Sequence, residues 1–396
     1  MEPRIQYAKT SDGVSIAYAV AGDGPPLVRV PLPSLNHAQR DWDMFPNLWA
    51  PLAQAFRLVL YDARGTGLSD REAIDFSMEA MVRDFEAHTG RVSGFRETGL
   101  LVLHPAEDED VVRATVPRLN GQGIPTDLME PAEVLAEWPA FDLAGIAVAA
   151  FERDAGYADP VLTTQGLLER ARELGAQLRL NVAAVTIERD GNAWRVDASD
   201  GASVGAERVL IAAGPWTKPL AAQVGADLPL TVERHIVATF AWGDDVRVPA
   251  HGDLPNGYYF RPEGDELFLM GPLHAEPQVD PDAFDEHLGP DESHTLGAAA
   301  VRRVPGLEHA TARGGWASLY DVSPDWQPVI GEIAQGVFVD AGTSGHGFKL
   351  APALGRHLAD LVAGAETDRG LEQFHPRRFD GDHALAAGFG DARILG

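Results

Sequence analysis

Residues 336–363, GVFVDAGTSGHGFKLAPALGRHLADLVA, constrain the fold more than any other stretch of this chain. The apolar run Gly336–Ala341 reads as a short buried strand. Leu350, Leu354, Leu358 and Leu361 then fall on one face of a helix expected over 350–363. Between the two lies the loop Gly342-Thr343-Ser344-Gly345-His346-Gly347-Phe348-Lys349. Its glycines let the backbone take conformations closed to other residues and approach a planar ligand closely. The helix turns its N-terminal amides toward the loop, which stabilises negative charge there. Such a unit is either a structural turn or the binding loop of a ligand.

The rest of the chain reads as mixed α/β. Residues 5–30 alternate as short strands with turns at Ser11-Asp12-Gly13 and Gly22–Pro26. Residues 47–56 read as a helix and 57–63 as a buried strand, so that strand 27–31, this helix and this strand form a parallel, right-handed β-α-β unit. Gly65-Thr66-Gly67 breaks the chain before a helix around 72–88. Asp159-Pro160 is an N-cap followed by a proline suited to the first helical position, and Leu167, Leu168, Ala171 and Leu174 line one face up to Gly175. Strands are expected at 177–181, 183–189, 193–198 and 207–213, with a hairpin turn at Asp190-Gly191. Residues 232–240 and 257–271 read as antiparallel strands of a second layer, and the tail after about 380 as polar and loosely ordered. Parallel β-α-β units plus an antiparallel block predict a parallel core with an inserted antiparallel-sheet domain.

Composition narrows the function. Acids outnumber bases 59 to 32, giving a formal charge of −27, which disfavours nucleic-acid binding because phosphate affinity needs clustered Lys and Arg. There is no cysteine, which excludes disulfides, thiol nucleophiles and cysteine-ligated zinc. No HExxH or similar spacing suggests a metal. No apolar run approaches the ~20 residues of a membrane span, and MEPRIQYAKT has no signal-peptide pattern. A cytoplasmic location without membrane partners is therefore expected; the oligomeric state stays open.

Six segments carry a resemblance: GFRETGLLVL (94–103), AGYADPVLTTQGLLERARELGAQL (155–178), VLIAAGPW (209–216), VERHIVAT (232–239), LYDVSPDWQPVIGE (319–332) and DAGTSGHGFKLAPALG (340–355). In this order they make residues 77–380 similar to the D-amino-acid oxidase / sarcosine oxidase family of FAD-dependent oxidoreductases. The resemblance implies an FAD-binding fold with FAD-side parts at about 150–220 and 320–365, and a substrate domain at about 90–150 and 225–318. It implies oxidation of a small amine or amino acid by hydride transfer to flavin N5. Gly342, Thr343, Ser344, Gly345, Gly347 and Phe348 would run along the isoalloxazine. Val185 would pair its backbone with adenine, and Ala212, Ala213, Gly214 and Trp216 would pass under the dinucleotide. Lys349 would hold the substrate carboxylate, with Tyr320 and His346 at the reacting centre. Tyr258, Tyr259 and Arg261 (or Arg234) are candidates for the substrate pocket. Ser318 stands where tethering relatives carry cysteine, so FAD would be noncovalent. The position of an oxygen-activating lysine is Leu269, which leaves oxidase and dehydrogenase chemistry both open.

Residues 1–72 resemble something else. YAKTSDGVSIAYAVAGDGPPLV and FRLVLYDARGTGLSDR are similar to the opening of an α/β-hydrolase. The family's strand–G-x-G-x-x-G–helix element is replaced here. The nearest match, Gly65-Thr66-Gly67-Leu68-Ser69-Asp70, has aspartate for its third glycine and Asp62 just upstream, two carboxylates that repel a pyrophosphate. Alternatively, strand 27–31, helix 47–56 and strand 57–63 stand in for the lost unit. Two further readings follow: a fusion that binds flavin poorly and acts as an inactive scaffold, or a hydrolase. The latter has only Gly201-Ala202-Ser203-Val204-Gly205, expected in a polar turn rather than on a nucleophile elbow.

Overall fold

The computed structural model describes residues 4–9, 15–24, 26–29, 42, 46–55, 57–61, 85–86, 89–243, 246–365, 367, 369–381 and 385. The chain divides into two units, Met1–Phe76 with Ala353–Thr367, and Ser77–Pro352 with Asp368–Gly396.

The first unit holds β1 (Arg4–Lys9), β2 (Ser15–Ala21), β3 (Pro26–Arg29), α1 (Pro46–Ala55) and β4 (Arg57–Tyr61). They form one sheet in the order β1-β2-β4-β3. β2 is antiparallel to β1 and β4, whereas β3 and β4 run parallel with α1 between them in sequence. Alternation drives the strands: Ala17, Ala19 and Ala21 are buried on one face of β2, and Leu58 and Leu60 on one face of β4. Trp42 and Trp49 close over Ala21, Leu58 and Leu60. The parallel β-α-β unit expected from the sequence is thus present. Asp62, the Gly65–Asp70 stretch, the loop 31–39 and most of the helix expected at 72–88 lie outside the described residues.

In the second unit β5 (Arg96–Glu97), β6 (Leu100–His104), α2 (Glu109–Gly121), β7 (Thr126–Met129), α3 (Pro131–Glu137), β8 (Val148–Glu152) and β9 (Gly156–Tyr157) come first. Then follow α4 (Pro160–Glu173), β10 (Ala184–Asp190), β11 (Ala193–Ala198), β12 (Ser203–Ala206), β13 (Val209–Ile211) and α5 (Thr217–Gln223). The remainder is β14 (Thr231–Ala241), β15 (Ala250–Asp253), β16 (Tyr258–Glu263), β17 (Leu267–Pro272), α6 (Pro290–Arg303), β18 (Thr311–Val322), β19 (Val329–Ala334), β20 (Val337–Ala341) and the start of α7 (Gly347–Ala363), which from Ala353 on is counted with the first unit. An 8-stranded sheet runs β18-β14-β17-β16-β15-β6-β8-β7, and all of its pairings are antiparallel except β15 with β6. Smaller sheets are β10-β11-β12 and β13-β20-β19, with β13 parallel to β20. The fold is a mixed α/β one, as expected.

The register of the large sheet sorts its residues to two faces. Ile236, Ala238, Phe240, Tyr258, Phe260, Phe268, Met270 and Ala317 pack into the main core with Leu296, Ala299 and Ala300 of α6. The residues that alternate with them share the other face. Glu233 pairs with Tyr320 and His235 with Ser318. Thr239 lies opposite Leu269, Leu269 opposite Arg261, and Gly271 opposite Tyr259. Tyr259 in turn meets Gly252, and Leu100 meets Glu152.

Several local expectations are corrected. Asp159 does cap α4, its carboxylate accepting from the Val161 and Leu162 amides at 2.8 and 3.0 Å. The leucine stripe of α4 is not its buried face, however, because Leu167 and Leu174 are exposed. Only Gly166 is buried, where a Cβ would lie 2.8 Å from the Phe85 ring. Residues 177–181 form no strand, and the expected strand 207–213 is only Val209–Ile211. Ser203 begins β12 instead of lying in a turn. The last helix starts at Gly347, three residues earlier than its leucines indicate.

Candidate active site

The 342–349 loop is held from below by Asp321. Its carboxylate accepts from the Gly342 amide at 2.7 Å, and its carbonyl accepts from the Ser344 amide at 3.0 Å. Burial raises the Asp321 pKa, an effect that its bonds from the Gly342 amide and from Thr343 oppose. Ser344 is fully buried in a left-handed conformation (φ 50°); its hydroxyl donates to the Gly342 carbonyl and accepts from the Ser323 amide. Gly345 has φ +84°, and a Cβ there would sit 2.5 Å from the Tyr320 ring. Absence of side chain is therefore what lets loop and tyrosine meet. The His346 amide caps back to the Thr343 carbonyl, and Leu350 makes the first intrahelical bond to His346. Gly347 and Phe348 thus occupy the first turn of α7, where helix amides lack internal acceptors.

Around this loop the second face of the large sheet gathers polar groups. The Tyr320 ring stacks on the His235 imidazole at 4.0 Å and 18°. Burial raises the pKa of both Tyr320 and Tyr259. Arg261 lies over the Tyr157 ring at 4.1 Å and pairs with Glu263, while its Nε is buried without a hydrogen-bond partner. Lys349 is exposed in area, yet enough protein surrounds its ammonium to pull its pKa below the usual lysine value, against the charge of Glu152. Glu152 shows the converse: burial raises its pKa and Lys349 opposes the shift.

Some expected site residues are elsewhere. Tyr258 is 1% exposed and belongs to the core face; adjacent residues in a strand point oppositely, so only Tyr259 faces the site. His346 is 2% exposed, and its amide donates to the Thr343 carbonyl at 2.8 Å. Arg234 is committed to Glu292 at 2.7 Å and to the Asp285 and His287 carbonyls. Of the residues expected at the cofactor, Val185 sits at a β-bulge, half exposed, its carbonyl accepting from Gln223 Nε2 at 3.0 Å. Ala213 donates to Thr217 Oγ1, Gly214 has φ +51°, and Trp216 is exposed with its indole N–H on Asp282. Ser203 donates to Asp197 at 2.5 Å from within a strand, so no nucleophile elbow exists there.

A family profile described as FAD dependent oxidoreductase matches residues 49–361. The chain belongs to the FAD-dependent oxidoreductase family. Among relatives, 4-methylaminobutanoate oxidase (formaldehyde-forming) of Paenarthrobacter nicotinovorans is 29% identical over 75% of this chain and 38% of its own length. Monomeric sarcosine oxidase of Bacillus sp. (strain B-0618) is 26% identical over 72% of this chain and 75% of its own. The chain therefore spans less than half of the first relative and three-quarters of the second. Among solved structures, glycine oxidase from Geobacillus kaustophilus superposes with a TM-score of 0.67 at 26% identity, covering 76% of this chain and 80% of that one. The match begins inside the segment that resembles an α/β-hydrolase opening and takes in most of α1 and all of β4. The comparisons lend the hydrolase resemblance no support.

As a flavoenzyme of this family the chain has FAD as its cofactor, and the loop fits it. Positive φ at Gly342, Ser344 and Gly345 shapes the turn, and the first-turn amides of α7, which lack intrahelical acceptors, are the donors for an electron-rich planar edge. Among the described residues no group of His, Asp or Glu is arranged to hold a metal, and no helix is long and apolar enough to cross a membrane. Three residues of the site went unseen in the sequence: Glu152, Glu233 and His235. The last two were legible in part, since VERHIVAT sets two ionisable residues two apart in an otherwise apolar strand.

Proposed function

We propose that this chain oxidises a small amine or amino acid bearing a carboxylate, of the kind named for its relatives: N-methylated amino acids, sarcosine or glycine. FAD, when bound, supplies the acceptor for the hydride. The protein's part is to bind and orient. Lys349 and Arg261 attract the carboxylate, and the partnerless Nε–H of Arg261 is a donor left for it. Tyr259 and Tyr320 wall the pocket, and the neutral substrate nitrogen releases its proton as the carbon–nitrogen double bond forms. Residues of about 90–150 and 225–318 would form the substrate side, and about 150–220 and 320–365 the flavin side. Without cysteine, no thioether can tether the flavin.

The observation that carries this reading is that Arg261, Tyr259 and Tyr320 share one sheet face, beside the glycine loop that Tyr320 touches. The test compares N-methylglycine with N-methylethylamine, which lacks the carboxylate. A charge-assisted contact worth ~1.5–3 kcal/mol predicts a kcat/KM preference of roughly 10- to 150-fold for the acid. Equal rates would remove the carboxylate from the proposal. A second reading, a scaffold that holds flavin weakly, draws on the absent G-x-G-x-x-G motif.

A further inference from the structure

We propose that Glu233 and His235 form a positioning pair that fixes the Tyr320 ring against the glycine loop. This rests on the reading of Tyr320 as a wall of the substrate pocket. Both residues are nearly fully buried, and Glu233 Oε2 accepts from His235 Nε2 at 3.2 Å and from the Glu276 amide at 3.0 Å. A buried carboxylate needs such partners, and a histidine donating to one has its tautomer and ring plane fixed. The fixed imidazole lies parallel to the Tyr320 ring, 4.0 Å away, with Trp326 edge-on to the imidazole at 6.5 Å. Gly345 presses on the ring from the loop, and Leu273, Val322 and Trp326 pack beside it. A tyrosine side chain has two torsions, and these contacts restrain both. The phenol then points where the buried pair sets it.

Register supports the same assignment. Glu233 is directly opposite Tyr320 on the neighbouring strand, and His235 is opposite Ser318, so the imidazole reaches the ring diagonally on the same face. None of the three is placed by a loop; the sheet fixes all of them.

The experiment uses full-length protein loaded with FAD and labelled with ring-13C tyrosine, as parent, H235A, H235F, H235N, Y320F and H235A/Y320F. In the parent, the two Cε resonances assigned to Tyr320 by their loss in Y320F are separate because ring rotation is slow. They merge in H235A and H235N and separate again in H235F, which keeps a planar ring. With N-methylglycine, H235A raises KM roughly tenfold with a smaller change in kcat. H235A/Y320F matches Y320F alone, because His235 acts through Tyr320. Unchanged Tyr320 resonances in H235A, or in H235N should the alanine variant not fold, overturn the proposal. So do H235A and Y320F effects that multiply. A parent without amine oxidation refutes the functional reading instead, while the resonance comparison still decides the positioning.

Discussion

Lys349 and Asp340 show how single side chains carry consequences that can be measured. The ammonium of Lys349 is pulled below its usual pKa by its surroundings and supported by Glu152. Lys349→Met should raise KM for N-methylglycine by about 10- to 100-fold, the loss of one charge-assisted contact, and leave N-methylethylamine unaffected. Steady-state kinetics on both substrates check this. Asp340 on β20 has one carboxylate oxygen buried without a partner, and burial together with the Asp321 charge pushes its pKa up to about 6. The folded state therefore prefers the neutral acid. Its contribution to stability is complete below about pH 4 and is lost as pH rises through about 6. Asp340→Asn should flatten that part of the stability profile, read from urea midpoints at pH 4 and pH 7. An unchanged profile would place the carboxylate in water.

Among the elements, strands that alternate around a core were readable, as in β2, β4 and β14, and so was the Asp159 cap of α4. Partners set the failures. Leu178 and Leu180 alternate like a strand but find no neighbouring strand, and Leu180 stays 69% exposed. GASVGA looks like a turn, yet pairs as β12 because β11 offers it an edge. The loop before α7 gives the sharpest contrast. Gly225 and Gly345 share φ +84°, but a Cβ meets nothing at Gly225 and the Tyr320 ring at Gly345. Gly225→Ala should cost about 1–2 kcal/mol of backbone strain. Gly345→Ala should add about 1–3 kcal/mol of overpacking and weaken substrate binding as well. Urea unfolding of the two variants separates the terms; equal losses would mean that loop and tyrosine do not press on each other.

At the scale of the whole molecule, family membership was legible because six motifs keep their order, whereas the site was legible only in part. Motifs name positions along the chain, but facing is decided by register. That is why Tyr258 and Tyr259 could not be told apart, and why Glu233 and His235 went unnoticed. The −27 charge and the absent glycine fingerprint make flavin retention the central question, since a pyrophosphate must find its donors without that turn. The direct measurement is the visible spectrum of the purified protein mixed with FAD and freed of excess, before and after anaerobic N-methylglycine. The expected result is a retained yellow flavin spectrum that bleaches on adding the amino acid. A protein that stays colourless after FAD addition would contradict it.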